Sequence, residues 1–481
     1  MEETTPLLGR QLAAPSRSTV LLLSLVIFSL SCFSSVSSVP LNRLLEHRLC
    51  RQYGAHHARL SFFDERVCKA DVVQSQLAHI NGILDTLEAV VGLLVAFPYG
   101  ALSDKVGRKP VILLSIAGFA LGSAWTALIL ARDQATIQTI LLAPAFFLIG
   151  GGRHVTYSTV FSAVSDVTTE KTRASAFVTI SLGSFMGGVV GPVVSSGLMQ
   201  VTSPWLPYLM SFAMVLLGAA LLMLVPETLP PRKKNPQDDY DDDDDDDDTS
   251  ILFSYLTRLR ASLSMLRKPE LALVLVAFLA PVPMSTAANQ FFVQYVSKRF
   301  FWSMADAGYL QSVRGAVNVV LLLVVLPCLG NSKALLSRAS SSSSPAAKDR
   351  YLAQLSAVAL TLGCLLMAGE SMPLVVAGFV VNTLGNGLAP LCRSLAAHLV
   401  AAHEQAGLQT LIAIVEASSS LFAGPALASA LSAGMRRGGV WMGLPYFGLA
   451  AFLFFVTLPL LVPMRTRPRR KLKSGGGIIE P

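Results

Sequence analysis

Long apolar stretches alternate with short polar breaks along this chain, twelve times over. The stretches cover residues 19–40, 79–100, 110–131, 136–164, 174–199, 205–226, 271–296, 305–329, 351–369, 372–401, 406–434 and 441–463. Each approaches or exceeds the ~20 apolar residues that carry a helix across a bilayer. In lipid a lone segment must satisfy its own backbone hydrogen bonds, so the pattern predicts an all-α integral membrane protein with twelve transmembrane helices. Arg10 and Arg17 ahead of the first stretch would also suit a cleaved leader. Its near-full spanning length, and the pairing of the remaining stretches, make it helix one.

An even number of crossings puts both ends of the chain on one side. Lys and Arg gather in the breaks 101–110, 230–268 and 330–350 and in the tail 465–473, so that side is expected to be cytoplasmic. The break 41–78 argues back with Arg43, Arg48, Arg51, Arg59, Arg66 and Lys69. Four acids are interspersed there, and longer loops constrain orientation less. The break 230–270 divides the helices six and six. The expected units are a tail 1–17, a half 18–229, a linker 230–270, a half 271–463 and a basic tail 464–481. Pro230-Pro231 and ten Asp within 238–248 cannot bury apolar surface, so the linker reads as a disordered spacer, with a regulatory acidic segment as the alternative. Within it, 251–267 fits an amphipathic helix on the inner leaflet. Ser340 to Ser344 interrupts the connection between the eighth and ninth helices.

One constant offset lays Gly424-Pro425 on Gly191-Pro192, Asn318 on Asp85 and Asn386 on Arg153. Two repeated halves around a midplane site are a common transporter plan. The second half puts Ser337 where the first has Asp104, and no basic run follows.

Composition narrows the class. The chain is 52% hydrophobic and 14% charged, against roughly 25% charged in soluble domains. A mean hydropathy of +0.56 over 481 residues leaves little room for a soluble domain. The net charge of +8 does not point to nucleic acid, because the basic residues sit in short connections and a tail where topology and lipid headgroups explain them. Cys32, Cys328, Cys364 and Cys392 lie in apolar runs as packing residues. Cys50 and Cys68 share one polar loop and are either bridged or two free thiols. His47, His56 and His57 nearby match no metal spacing, and no cofactor is expected. No P-loop is present, which argues against ATP drive.

The chemistry begins at Tyr99-Gly-Ala-Leu-Ser-Asp-Lys-Val-Gly-Arg-Lys-Pro110, a basic turn between the second and third runs. Gly100 and Gly107 permit a sharp turn, Asp104 offers a carboxylate, and Lys105, Arg108 and Lys109 hold the turn inside. Three acids (Asp85, Glu88, Glu416) and three bases (Arg153, Arg314, Arg393) lie within the spans, where a charge is costly and marks function. At ~1.5 Å per residue, Glu88 and Arg153 reach about the same depth, ~18–20 Å from the basic side, and Arg393 and Glu416 about 12–16 Å. Pairs Glu88–Arg153 and Glu416–Arg393 are therefore predicted, and Arg314 has no assignable partner. The pairs read either as structural clamps or as a coupling device that trades a proton for a salt bridge. His154 points about 100° away from Arg153 and reads as packing. Asn382, Asn386 and Arg393 fall at helical spacing on one face, and Asn289, Gln290 and Gln294 form a second polar patch.

The hinge pattern resembles the loop between helices 2 and 3 of the major facilitator superfamily. Gly183-Ser-Phe-Met-Gly-Gly-Val-Val-Gly191-Pro192, with Gly187 and Gly188 inside it, is similar to the motif of that superfamily's antiporters, although close packing would also select it. Asp166 and Arg173 flank the turn after helix 4 as in that family, and Pro226-Glu227-Thr228-Leu229 closes helix 6. The likeness covers the whole membrane region, nearest to fungal carriers of the drug/proton antiporter type and more loosely to proton-coupled folate carriers. It implies two six-helix bundles, with helices 1, 4, 7 and 10 lining the substrate path, so that Asn289, Gln290, Gln294, Asn382 and Asn386 become binding groups. It implies also that Asp166 pairs with Arg108.

The expected function is proton-coupled secondary transport of a small organic solute by a monomer, as efflux of a drug-like or secondary metabolite. Uptake of a nutrient or organic anion, and solute sensing without transport, are the alternatives. The expected membrane is plasma or vacuolar, Glu3-Thr-Thr-Pro-Leu7-Leu8 being a dileucine-like sorting signal.

Overall fold

The computed structural model describes residues 17–53, 65–229, 265–325, 328, 345–400 and 405–461. The linker at 230–264, the Ser-rich piece, both tails, His56 and His57 lie outside them. Among the described residues, twelve helices are long and apolar enough to cross a membrane. They are α1 (Arg17–Tyr53), α2 (Asp71–Val106), α3 (Arg108–Ala131), α4 (Ile137–Val167), α5 (Glu170–Val201), α6 (Trp205–Leu224), α7 (Pro269–Phe300), α8 (Met304–Val325), α9 (Pro345–Met367), α10 (Met372–Leu399), α11 (Gln405–Arg437) and α12 (Gly439–Leu461). Each falls on one of the apolar stretches. α1 and α2 run well past the stretches that predicted them, so much of the presumed loop 41–78 is helix.

The helices form two bundles. α1 packs against α5 and α6 in the first, and α9 against α10 and α12 in the second. The bundles meet along two seams, α2 on α11 and α5 on α8. Both seams bring backbone onto backbone at glycine. A Cβ on Gly82 would stand 2.7 Å from the Gly424 carbonyl oxygen, and one on Gly315 would stand 2.8 Å from that of Gly188. The offset that carries Gly191 onto Gly424 also carries Gly82 onto Gly315. The duplication thus extends to the contacts between the halves, and small residues are what let the helices approach this closely.

A large apolar cluster crosses between the halves at the end bearing Cys50 and Cys68, joining Leu45, Leu49 and Leu77 to Phe291, Phe292 and Val296. At the opposite end a second cluster, with Leu23, Ile27, Ile112, Ile116 and Val164, holds first-half residues alone. The molecule is shut at the cysteine end.

Three of the helices expected to line a path are interrupted. α4 was read as continuous; it is a tight 3₁₀ segment, Ile137–Leu148, followed by an α-helix, Gly152–Val167. Between them Gly150, Gly151 and Gly152 adopt φ of +86°, +82° and +61°, which only glycine takes freely in succession. The break is seated on α3, where the Ser115 hydroxyl donates to the Gly150 carbonyl. α7 contains a π-turn, Ala287–Phe291, and α10 a 3₁₀ turn, Gly385–Gly387. Irregular backbone at membrane depth survives where protein or a cavity surrounds it.

Candidate functional site

The basic hinge is a pair of reciprocal helix caps. Gly107 at φ +119° separates α2 from α3, and a Cβ there would meet the Glu227 carboxylate at 2.6 Å. That carboxylate accepts the Arg108 and Lys109 backbone N–H groups at 2.9 and 3.2 Å, closing the start of α3, together with those of Thr228 and Leu229. In return the Lys109 ammonium donates to the Met223 and Val225 carbonyls at 2.8 and 3.0 Å, closing the end of α6. Partial burial alone would raise the Glu227 carboxyl, but the four backbone donors, Arg108 foremost, outweigh it and hold the group below its usual range. Arg108 bridges Asp104 at 2.5 Å and Asp166 at 3.0 Å. Arg173 leaves its Nε buried without a hydrogen-bond partner. Gly100 is not part of the turn. It lies within α2, and an added Cβ would meet nothing within 4 Å. Glu227 was placed by sequence at a helix end without a role; its partner lies across the bundle, beyond the reach of local spacing.

Deeper in, the structure brings together both predicted ion pairs. Arg153 bonds the Glu88 carboxylate at 2.7 and 2.8 Å, and Arg393 bonds Glu416 at 2.8 and 2.9 Å. The Arg153 and Arg393 side chains remain 51% and 46% accessible. Glu88 of the first half and Glu416 of the second both lie within electrostatic reach of His154, so the two pairs face one cleft between the halves. Asp85 forms no ion pair among the described residues, and its Oδ2 is buried without a hydrogen-bond partner. His154 rides over Gly92, one turn from Glu88, within electrostatic reach of both Glu88 and Glu416. It is exposed, so the packing role is only partial. Arg314 donates to the Asn289 side-chain oxygen. Asn386 donates to Asn318 at 2.9 Å, so the amides that the offset lays on Arg153 and Asp85 are themselves in contact.

The amide groups divide. Asn289 is exposed and Gln290 half-buried. Gln294 is 1% exposed and donates to the Gln74 carbonyl across the halves at 2.7 Å, so it belongs to a clasp and not to a path. The π-turn between Asn289 and Gln294 shifts the helical phase, which the even spacing in sequence concealed. Asn382 is likewise buried, at 3%, donating to the Leu360 carbonyl at 3.2 Å. The 3₁₀ turn after it undoes the shared face assumed for Asn382, Asn386 and Arg393. In α5, Gly187 and Gly191 press on α1, where an added Cβ would lie 2.6 and 2.5 Å from the Ser31 and Ser35 side chains, while Gly188 faces α8. Close packing accounts for Gly187 and Gly191, whereas an added Cβ on Gly188 would meet nothing within 4 Å. Pro192 sits within the same helix.

The closed end holds a group that sequence reading took for a solvated loop. Cys50, on the last turns of α1, is bridged to Cys68. Beside the bridge, Glu46 (0% exposed) accepts from Arg43 at 2.8 Å, Lys69 at 2.7 Å and Gln74 at 2.5 Å. From the other half, Lys298 reaches Asp71 at 2.6 Å and the Lys69 carbonyl, and Glu65 receives the Met304 backbone N–H at 3.0 Å. Outside the helices, Asp133 is clamped by Arg51 at 2.9 Å and by Arg48 at 2.5 Å. The Arg51 hydrogen bond chiefly holds its carboxyl below the usual range. Among the described residues no group of three or more His, Cys, Asp or Glu could hold a metal ion.

The family model described as Major Facilitator Superfamily matches residues 72–338. The chain belongs to that superfamily. It is 30% identical over 464 residues to the MFS efflux pump atnC of Emericella nidulans, covering 94% of this chain and 90% of the relative. It is 26% identical to the MFS-type transporter aprT of Aspergillus flavus, covering 91% and 86%. Among solved structures, the nucleoside transporter NupG superposes with a TM-score of 0.63 at 12% identity, over 92% of this chain and 98% of that one. The likeness to NupG establishes the fold alone. A major facilitator chain of this kind is a multi-pass secondary transporter. Each of the two ion pairs lies within one bundle, whereas the clasp at the closed end ties the two bundles together.

Proposed function

We propose that this carrier exports a small organic molecule, drug-like or a secondary metabolite, across the plasma or vacuolar membrane as a monomer, and that protons drive it. The lysine- and arginine-rich hinge faces the cytoplasm in this reading, along with both termini, as the positive-inside rule favours. The observation that carries the coupling is the state of the cleft acids. Glu88 and Glu416 each share a salt bridge with an accessible arginine, while Asp85 stands beside the first pair with no ion partner of its own. Glu88 and Glu416 so placed can each take a proton and release an arginine, and Asp85 can take one unopposed, which would tie protonation to the rocking of the halves. The relatives named as efflux pumps support the direction.

The test is flux into proteoliposomes under an imposed pH gradient. Glu416→Gln should lose gradient-driven accumulation while retaining exchange of preloaded substrate. Driven flux equal to that of the unmodified protein would remove Glu416 from the coupling role.

A further inference from the structure

The cleft charges do not cancel within the protein. Of the three acids and three bases inside the spans, four are spent in two ion pairs, which leaves Asp85 in the first half and Arg314 in the second. A carboxyl group can neutralise itself by taking a proton. A guanidinium cannot, so a membrane-embedded arginine needs a counter-charge from somewhere. No carboxylate among the described residues lies in ion-pairing range of Arg314.

Its surroundings are built and polar. α8 turns Gln311 and Arg314, one turn apart, toward the π-turn of α7. Gln311 donates to the Ala288 carbonyl at 2.5 Å, and the Arg314 Nη1 donates to the Asn289 side chain. The Arg314 Nε is left with no partner. The edge formed by Nε and Nη2 is the one that matches both oxygens of a carboxylate, and the buried Nε on that edge has no protein partner. Asn289 is exposed beside it.

We infer that Arg314, oriented by Asn289 on the π-turn of α7, binds the anionic group of the transported molecule, which is therefore an organic acid presenting a carboxylate. This deepens the export reading above and rests on it. A monoanion at Arg314 completes the charge balance of the loaded cleft, so cargo and carrier can change face without an orphan charge.

The test uses full-length protein in proteoliposomes and a panel of matched acids and amides headed by 1-naphthoate with 1-naphthamide and indole-3-acetate with indole-3-acetamide. Unmodified protein should transport the carboxylate of a pair at least ~10-fold better than the amide. Arg314→Gln should bring the two within about twofold, Arg314→Lys should keep part of the preference, and Asp85→Asn should keep all of it. Arg314→Gln should also melt no lower than the parent, since it removes an unpaired charge, and should lose the rise in Tm that 1-naphthoate gives the parent. A preference that survives Arg314→Gln would overturn the assignment, as would equal transport of acid and amide by the parent. Flux confined to the amides sinks the anion site alone. No gradient-dependent flux of either class would count against the transporter reading beneath it.

Discussion

The two halves of this carrier share a fold and differ in charge. One offset superimposes their seam glycines, Gly82 on Gly315, and their polar midplane positions, Asp85 and Arg153 on Asn318 and Asn386. In the first half those midplane positions hold an acid and a base, Arg153 being tied to Glu88. In the second they hold two amides bonded at 2.9 Å. The reverse holds for Glu416 of α11, which is paired with Arg393 of α10 and has as its counterpart Gly183, pressed against the Ser24 carbonyl. The glycines that pack the halves together are shared, and the charged midplane positions are not. A neutral amide pair holds two helices at fixed spacing whatever the pH, whereas an acid beside arginine does not.

The largest effect should come from breaking the shared part. Gly315→Val drives a side chain into the Gly188 carbonyl and should cost about 1–3 kcal/mol, read as a lower Tm and loss of transport. Gly82→Val should behave alike because it occupies the equivalent seam. Gly188→Ala is the control, since its own Cβ would meet nothing within 4 Å. A large loss at one of Gly82 and Gly315 and none at the other would show that the seams are not equivalent.

Erasing the difference should do less to stability and more to pH response. Asp85→Asn gives the first half the amide that its counterpart carries, and should flatten the pH dependence of transport while leaving stability within about 1 kcal/mol. Removing the amide bond with Asn386→Ala should cost about 1 kcal/mol and leave the pH profile of transport unchanged.

The smallest effect belongs to the hinge, present only in the first half among the described residues. The Glu227 carboxyl titrates below its unfolded value. Its contribution is therefore complete above the ordinary carboxylate range near pH ~4.3 and is lost as pH falls through the lower folded value. Glu227→Gln should remove that acid-side loss and cost about 1 kcal/mol or less at neutral pH, measured as Tm against pH.

The helices and the two ion pairs were legible in sequence for simple reasons. Lipid imposes a minimum length on every crossing, and residue count converts directly to depth in a helix. Rotation about the helix axis was not legible. The π-turn in α7 and the 3₁₀ turn in α10 shift the phase, so Gln294 and Asn382 turn into packed interior where even spacing promised a shared face. The buried cluster of Arg43, Glu46 and Lys69 was hidden for a different reason. Charges beyond the end of an apolar stretch read as solvated, and only the continuation of α1 beyond Pro40 and the Cys50–Cys68 bridge fold them inward.

The reciprocal caps at the hinge carry a mechanical consequence. Because Glu227 closes α3 and Lys109 closes α6, neither helix can slide along the other without baring the polar end of its neighbour. The two are therefore coupled as one beam, and a push at the hinge end moves both together. Compliance is then concentrated in the triple glycine of α4, immediately before the arginine that grips Glu88.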